Sequence, residues 1–122
     1  MRIKITTGDV DVEAELNDSA TAQRIAEALP IEGSVNRWGD EIYFSIPVRA
    51  EPAEDGRTEM DVGELAYWPP GNAFCIFWGP TPASQADEPR AASDVNPVGR
   101  IIGDATMFST VDDGTLIRIE KA

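Results

Sequence analysis

Short segments in which apolar and polar residues alternate run through most of this chain, and this pattern constrains its fold more than any other feature. The first two segments contain Ile3 and Ile5, then Val10 to Leu16, on either side of a turn at residues 7–9. A period of two places successive side chains on opposite faces of a strand. The two segments therefore predict a β-hairpin with one buried face.

One segment departs from this pattern and has helical spacing. Apolar residues recur at intervals of three and four from Ala22 to Leu29, a polar residue at 17–19 can cap the start, and Pro30 marks the end. The segment from Asp104 to Val111 predicts a short helix or turn. The sequence thus predicts one main helix and one short helix.

Apolar segments bounded by glycine and proline predict the remaining strands. They lie at residues 42–48, 58–68, 73–78, 98–102 and 115–120, where 58–68 is one bent strand or two short ones. Residues 32–34 predict a turn, and the proline-rich segment 79–92 predicts a long surface loop. About eight short strands with few helices predict a mainly β fold, a closed or nearly closed barrel without exposed sheet edges.

The length and net charge of the chain limit the kinds of partner and the location that we expect for it. A chain of 122 residues, 42% of them hydrophobic, predicts a single domain over residues 1–122. The net charge of -12 opposes phosphate backbones and anionic lipid surfaces, so we expect neither a nucleic acid nor a membrane as partner. No apolar run approaches the roughly 20 residues of a membrane span, and no secretory signal pattern is evident, so we expect a cytoplasmic location.

The residue types also exclude several kinds of active site. The chain has no histidine and one cysteine, Cys75, which excludes Ser-His-Asp and Cys-His systems, histidine-ligated zinc and an internal disulfide. Cys75 lies in an apolar segment and is predicted to be a small, buried core residue. Asp11, Glu13 and Glu15 share one strand face, but a row along a strand does not converge on a metal ion. We expect neither a metal site nor a cofactor.

Three sequence blocks resemble a known family. They are VNRWGDEIYFSIPV at 35–48, ELAYWPPGNAFCIFWGPTPAS at 64–84 and VNPVGRIIG at 95–103. Together with the opening hairpin and helix and the final hairpin, they are similar to a small prokaryotic cyclophilin-like family of largely uncharacterised function. The resemblance implies a small, closed cyclophilin-like β-barrel of about eight strands with one main helix and one short helix.

The resemblance also implies a binding groove. Cyclophilins are peptidyl-prolyl isomerases in which an arginine lies beside an apolar pocket for proline, and Arg37 occupies a similar place here, with residues 73–79 similar to the groove strand. The sequence departs from that pattern at Val35 and Asn36, which stand where a phenylalanine and a histidine precede the arginine. The groove glutamine has no evident counterpart. The resemblance thus implies Arg37 as the candidate catalytic residue of a weak isomerase.

Aromatic residues close to strand ends and prolyl turns are further candidate residues for the binding groove. Such side chains can line a peptide groove or stack on a proline ring, or they can close the end of a barrel. Asp40 and Glu41 could form an acid-base pair if one were desolvated against Trp38, although a turn at Gly39 explains them more simply. The predicted groove consists of Trp38, Glu41, Tyr43, Tyr67, Trp68 and Phe74.

Three functional hypotheses follow. The first is a binding module for a small ligand or an extended, proline-containing peptide. The second is a weak peptidyl-prolyl cis-trans isomerase, in which Arg37 donates a hydrogen bond to the prolyl nitrogen of the twisted amide. The third is a structural or oligomerising accessory protein, such as a homodimer.

Overall fold

The computed structural model describes residues 1–122 and contains ten strands, one α-helix and two 3₁₀ segments. The strands are β1 (Arg2–Thr7), β2 (Val10–Leu16), β3 (Ile31–Ser34), β4 (Asn36–Arg37), β5 (Glu41–Ser45), β6 (Arg57–Glu59), β7 (Glu64–Trp68), β8 (Ala73–Phe77), β9 (Arg90–Ile102) and β10 (Leu116–Lys121). The helix is α1 (Ala20–Ala28), and the 3₁₀ segments are Pro69–Gly71 and Ala105–Thr110. The mainly β class and the two predicted helical segments are confirmed, whereas ten strands replace the roughly eight that were predicted.

All strand pairs are antiparallel, and the strand order is β3-β10-β1-β2-β9-β7-β8-β5-β4, with β6 paired to β9. The two edge strands, β3 and β4, are separated in the chain by Val35 alone. The sheet must therefore curl until its edges lie close together. No hydrogen-bonded ladder joins those edges, so the predicted closed barrel is corrected to a curled sheet that is open between β3 and β4.

Side-chain packing takes the place of a ladder near this opening. Gly33 in β3 lies against the ring of Phe44 in β5, and a Cβ atom at position 33 would come within 2.8 Å of that ring. The Val35 N–H donates to the Thr115 carbonyl, and the Gly114 N–H donates to the Val35 carbonyl. These bonds hold Val35, which connects the two edge strands, against the turn that precedes β10.

The main core lies inside the curled sheet and contains 26 buried residues. Helix α1 packs Ala22 and Ile25 into it. The Ser19 hydroxyl caps this helix by accepting a hydrogen bond from the Ala22 N–H at 3.2 Å, as one of the predicted capping residues. No helix in the structure has the length and apolar character needed to cross a membrane.

A second, smaller apolar cluster lies on the opposite face of β7 and β8. Alternation along β8 places Phe74 in the main core and its neighbours Ala73 and Cys75 in the smaller cluster. The cluster also contains Met60, Ala66, Phe77, Ala91 and Val95. Because several of these side chains are alanine, the cluster leaves space above the sheet.

The strand predicted at residues 42–48 ends at Ser45, before Pro47, which has no N–H for a ladder bond, and two other segments also differ from the sequence-based prediction. Strand β9 begins at Arg90, so residues 90–92 belong to a strand rather than to the predicted loop, because β6 pairs with this part of the chain. Residues 32–34 belong to β3 rather than to a turn, because β10 supplies their hydrogen-bonding partners. In both cases the strand depends on pairing with a segment distant in sequence.

Candidate functional site

A cavity of about 240 Å³ opens above the smaller apolar cluster, and we call it the Glu41 pocket. Drug-sized ligands usually occupy pockets of roughly 300–1,000 Å³, so this one suits a single ring or another compact group. Its lining contains one carboxyl group among otherwise apolar or aromatic side chains. The lining residues are Trp38, Glu41, Tyr43, Trp68, Cys75, Ala91, Ala92 and Val95.

The pairing of β5 with β8 brings the central side chains of the pocket together. Tyr43 lies directly opposite Cys75, so Glu41, two residues along β5, is the diagonal neighbour of Cys75 on the same face. Ile42 and Phe44 alternate with them and enter the main core. The period of two thus aims Glu41 and Tyr43 away from the core and into the pocket.

Three aromatic rings border the pocket. The Trp68 ring meets the Tyr43 ring edge to face, with 6.5 Å between their centroids. The Trp68 indole N–H donates a hydrogen bond to the Ser93 hydroxyl at 2.8 Å, which ties β7 to β9. Trp38 and Glu41 exchange main-chain hydrogen bonds across a tight turn, at 2.9 and 3.2 Å. The main chain therefore fixes the position of Trp38 relative to Glu41.

Glu41 is only 4% exposed, and no arginine, lysine or main-chain N–H donates to its carboxyl group. Burial raises the pKa of Glu41 to about 8, and a hydrogen bond with Cys75 opposes part of that rise. Burial also raises the pKa of the Cys75 thiol, and the nearby Glu41 carboxyl raises it further. At pH 7 the pocket therefore contains a neutral carboxylic acid beside a neutral thiol.

This arrangement supports two kinds of chemistry at Glu41. As a neutral acid it can donate one hydrogen bond and accept another, and as an anion it can pair with a cation. Cys75 is buried, as predicted, and its pKa is raised, so the thiolate needed for nucleophilic attack does not form at neutral pH. Glu41, rather than Cys75, is therefore the group of the pocket that can change its charge near neutral pH.

Four of the six predicted groove residues meet in this pocket: Trp38, Glu41, Tyr43 and Trp68. The other two, Tyr67 and Phe74, lie fully buried in the main core. The Tyr67 hydroxyl donates to the Val48 carbonyl at 2.8 Å. Because neighbours in a strand face opposite sides, Trp68 and Cys75 can line the pocket only if Tyr67 and Phe74 do not.

Arg37, the predicted catalytic residue, lies outside the pocket lining. Its guanidinium carbon is 5.0 Å from the centre of the Trp78 ring, and it pairs with Asp40 at 3.3 Å. It also donates to three main-chain carbonyls at 2.6–3.0 Å, those of Gly39, Ser109 and Val111. These bonds occupy four of the five N–H donors of the guanidinium. Arg37 thus anchors the turn before β5, and Asp40 faces Arg37 while Glu41 faces the pocket.

The β9 wall of the pocket was not predicted. It consists of Ala91, Ala92 and Val95, which lie at the end of the predicted loop 79–92 or just after it. Small residues mixed with serine and aspartate have no clear strand periodicity, so the sequence carried little signal for them. The acidic row on β2 is exposed, as expected for a solvated face, and its carboxylates pair with Arg2 and Lys4 on β1.

Comparisons with known proteins agree with this architecture. A family model described as cyclophilin-like matches residues 1–120. The chain is similar to the solution structure of a hypothetical protein from Archaeoglobus fulgidus, with a TM-score of 0.84 and 40% identity over 100% of this chain and 95% of that chain. No functionally curated protein matches the sequence. Because the family model spans nearly the whole chain, this protein belongs to the cyclophilin-like family.

Proposed function

We propose that this protein is a binding module whose Glu41 pocket takes a compact group of a small ligand or of an extended, proline-containing peptide. The observation that carries this proposal is Glu41 itself, a carboxyl group that is buried among aromatic rings without a charged or main-chain partner. A carboxyl group that is neutral at pH 7 can both donate and accept a hydrogen bond, so a polar atom of a ligand can pair with Glu41.

The surroundings of Glu41 also favour a ligand. Trp38, Tyr43 and Trp68 are only partly buried, so their rings are accessible from solvent. Covering such rings gains roughly 25 cal/mol per Å² of apolar surface. An apolar ring or aliphatic group seated against them, with one polar atom directed at Glu41, satisfies both features of the pocket.

The two other hypotheses have less support. A purely structural role does not explain a concave pocket bordered by aromatic rings around a buried acid. Isomerase catalysis through Arg37 needs a guanidinium that is free to reach a bound prolyl nitrogen, whereas this one is engaged by three carbonyls and Asp40. Binding is therefore the function that the geometry supports best.

NMR titration tests the proposal directly. X-Pro peptides and single-ring metabolites are added to isotope-labelled protein, and we expect saturable shifts at the indole N–H groups of Trp38 and Trp68 and at the amides of Glu41 and Tyr43. The absence of saturable binding by any compound contradicts a ligand-binding function.

A matched pair of variants locates the binding site. Ala92→Phe adds a large side chain at an exposed position on the pocket wall, and we expect it to weaken binding by about tenfold or more. Ala86→Phe adds the same side chain to an exposed position outside the pocket lining and should leave binding unchanged. Binding that survives Ala92→Phe would show that the ligand uses another surface.

A further inference from the structure

We propose that the group entering the Glu41 pocket is an organic cation with an alkylated ammonium centre, such as trimethylammonium. This presupposes the proposed binding function and adds the chemical class of the ligand. Trp38, Tyr43 and Trp68 border a compact cavity that contains one buried carboxyl group. Aromatic rings attract cations through their electron-rich faces, and cages of such rings bind quaternary ammonium groups.

No group of the protein supplies a positive charge to Glu41. From β8 the pocket presents the Cys75 thiol, from β7 the Trp68 ring, and from β9 only alanine and valine. Tyr43 is on the same strand as Glu41, and Asp40, the preceding residue, pairs with Arg37 outside the pocket. An ionised Glu41 therefore has no counter-charge within the protein, and a cationic ligand provides one.

Two opposing effects set the affinity for a cation. Attraction between opposite charges is strong in the pocket because Glu41 is largely shielded from water. Glu41 must first lose its proton, and because its pKa is about 8, this lowers the affinity about tenfold at pH 7. The net charge of -12 also raises the local concentration of cations.

The two ligand classes consequently predict opposite effects of pH. A cation binds the ionised form of Glu41, so its affinity rises as the pH approaches 8. A neutral ligand that accepts a hydrogen bond from the protonated acid binds less well as the pH passes through that value. The direction of the pH dependence thus reports the charge of the preferred ligand.

Choline and its uncharged isostere 3,3-dimethylbutanol test this, because they share size and hydroxyl group and differ in charge. Each is titrated into the full chain by NMR between about pH 6 and pH 8, at about 0.15 M ionic strength to screen unspecific attraction. We expect choline to shift the Trp38 and Trp68 resonances and to bind more tightly than the isostere. Its affinity should rise about tenfold between pH 6 and pH 7 and about fivefold between pH 7 and pH 8, because the ionised fraction of Glu41 reaches one half at its pKa of about 8.

Two variants distinguish binding in the Glu41 pocket from attraction of cations by the net negative charge of the protein. Glu41→Gln should remove both the preference for choline and its pH dependence. Glu54→Gln removes one exposed carboxylate outside the pocket lining and should change neither.

Equal affinity for the isostere, or a choline affinity that does not rise with pH, overturns the cation proposal. If neither probe binds while a peptide or ring compound does, the cation proposal fails and the proposed binding function stands. If no compound binds at all, both fail.

Discussion

Glu41 and Cys75 are diagonal neighbours across the β5–β8 pair, and the Cys75 thiol, which lies 3.9 Å from the Ala73 carbonyl oxygen, is the group that lowers the pKa of the Glu41 carboxyl. Both groups are buried on the face of the sheet opposite the main core. Desolvation disfavours the charged form of each, so the pocket is neutral at pH 7 although the whole chain is strongly acidic. The unusual pKa of Glu41 has consequences that can be measured without knowing the ligand.

Ionisation of Glu41 should lower the stability of the protein as the pH rises. The carboxyl titrates near 4.5 when unperturbed and near 8 in the folded protein, so folding takes up a proton between these values. Its stabilising contribution is fully present below the lower value and is lost as the pH rises through the upper one, by an amount on the order of a few kcal/mol.

Urea unfolding of the wild type and of Glu41→Gln across this pH range measures the effect. The unfolding free energy of the variant minus that of the wild type should grow with pH, because only the wild type must ionise a buried acid. A difference that stays constant between about pH 4.5 and pH 8 would show that Glu41 titrates like an exposed carboxyl group.

Replacement of Cys75 should raise the pKa of Glu41 further. The hydrogen bond with the thiol stabilises the ionised carboxylate, so Cys75→Ala removes the one interaction that lowers this pKa. Carboxyl-carbon NMR measures the titration midpoint directly. Cys75→Ser retains a donor and should keep the midpoint below that of Cys75→Ala, and an unchanged or lower midpoint in Cys75→Ala contradicts the assigned role of the thiol.

Arg37→Ala should destabilise the fold by roughly 2–3 kcal/mol, because it deletes hydrogen bonds from a charged donor to three carbonyls. Urea unfolding measures the loss, and Arg37→Lys should recover only part of it because an ammonium cannot reproduce the guanidinium fork. Ligand binding in the Glu41 pocket should persist in the folded Arg37→Ala protein. A variant as stable as the wild type would contradict the anchoring role.

We also expect weak or no isomerisation of a simple X-Pro peptide. Four of the five N–H donors of Arg37 are already engaged, and Arg37 lies outside the pocket lining, so its guanidinium is held away from a prolyl amide bound in the pocket. Exchange NMR on the peptide compares the wild type with Arg37→Ala. An acceleration that disappears in the variant would establish the isomerase hypothesis in place of simple binding.

Gly33→Ala should destabilise the protein by about 1–3 kcal/mol, because the new Cβ meets the Phe44 ring at 2.8 Å beside the opening between β3 and β4. A double-mutant cycle with Phe44→Leu, followed by thermal or urea unfolding, measures the coupling. The double variant should lose less stability than the two single variants together. Strict additivity would show that this contact does not hold the edges of the sheet together.

Features that depend only on neighbouring residues can be predicted from the sequence alone. The opening hairpin follows from period-two alternation around Gly8, and α1 from its apolar spacing and the Ser19 cap. The sequence also indicates Trp38, Glu41, Tyr43 and Trp68 as candidate site residues, and all four line the pocket. Such features are encoded locally, because backbone geometry and short-range hydrogen bonds decide them.

Contacts between distant strands determine which face of the sheet carries the pocket. Strands β7 and β8 are apolar on both faces, so alternation alone could not separate Trp68 from Tyr67 or Cys75 from Phe74. The β9 wall and strand β3 likewise exist because distant strands supply their hydrogen bonds. The raised pKa of Glu41 depends on burial by residues far away in the chain, such as Trp68 and Ala91. Desolvation is a property of the assembled surroundings, and no local pattern in a sequence encodes it.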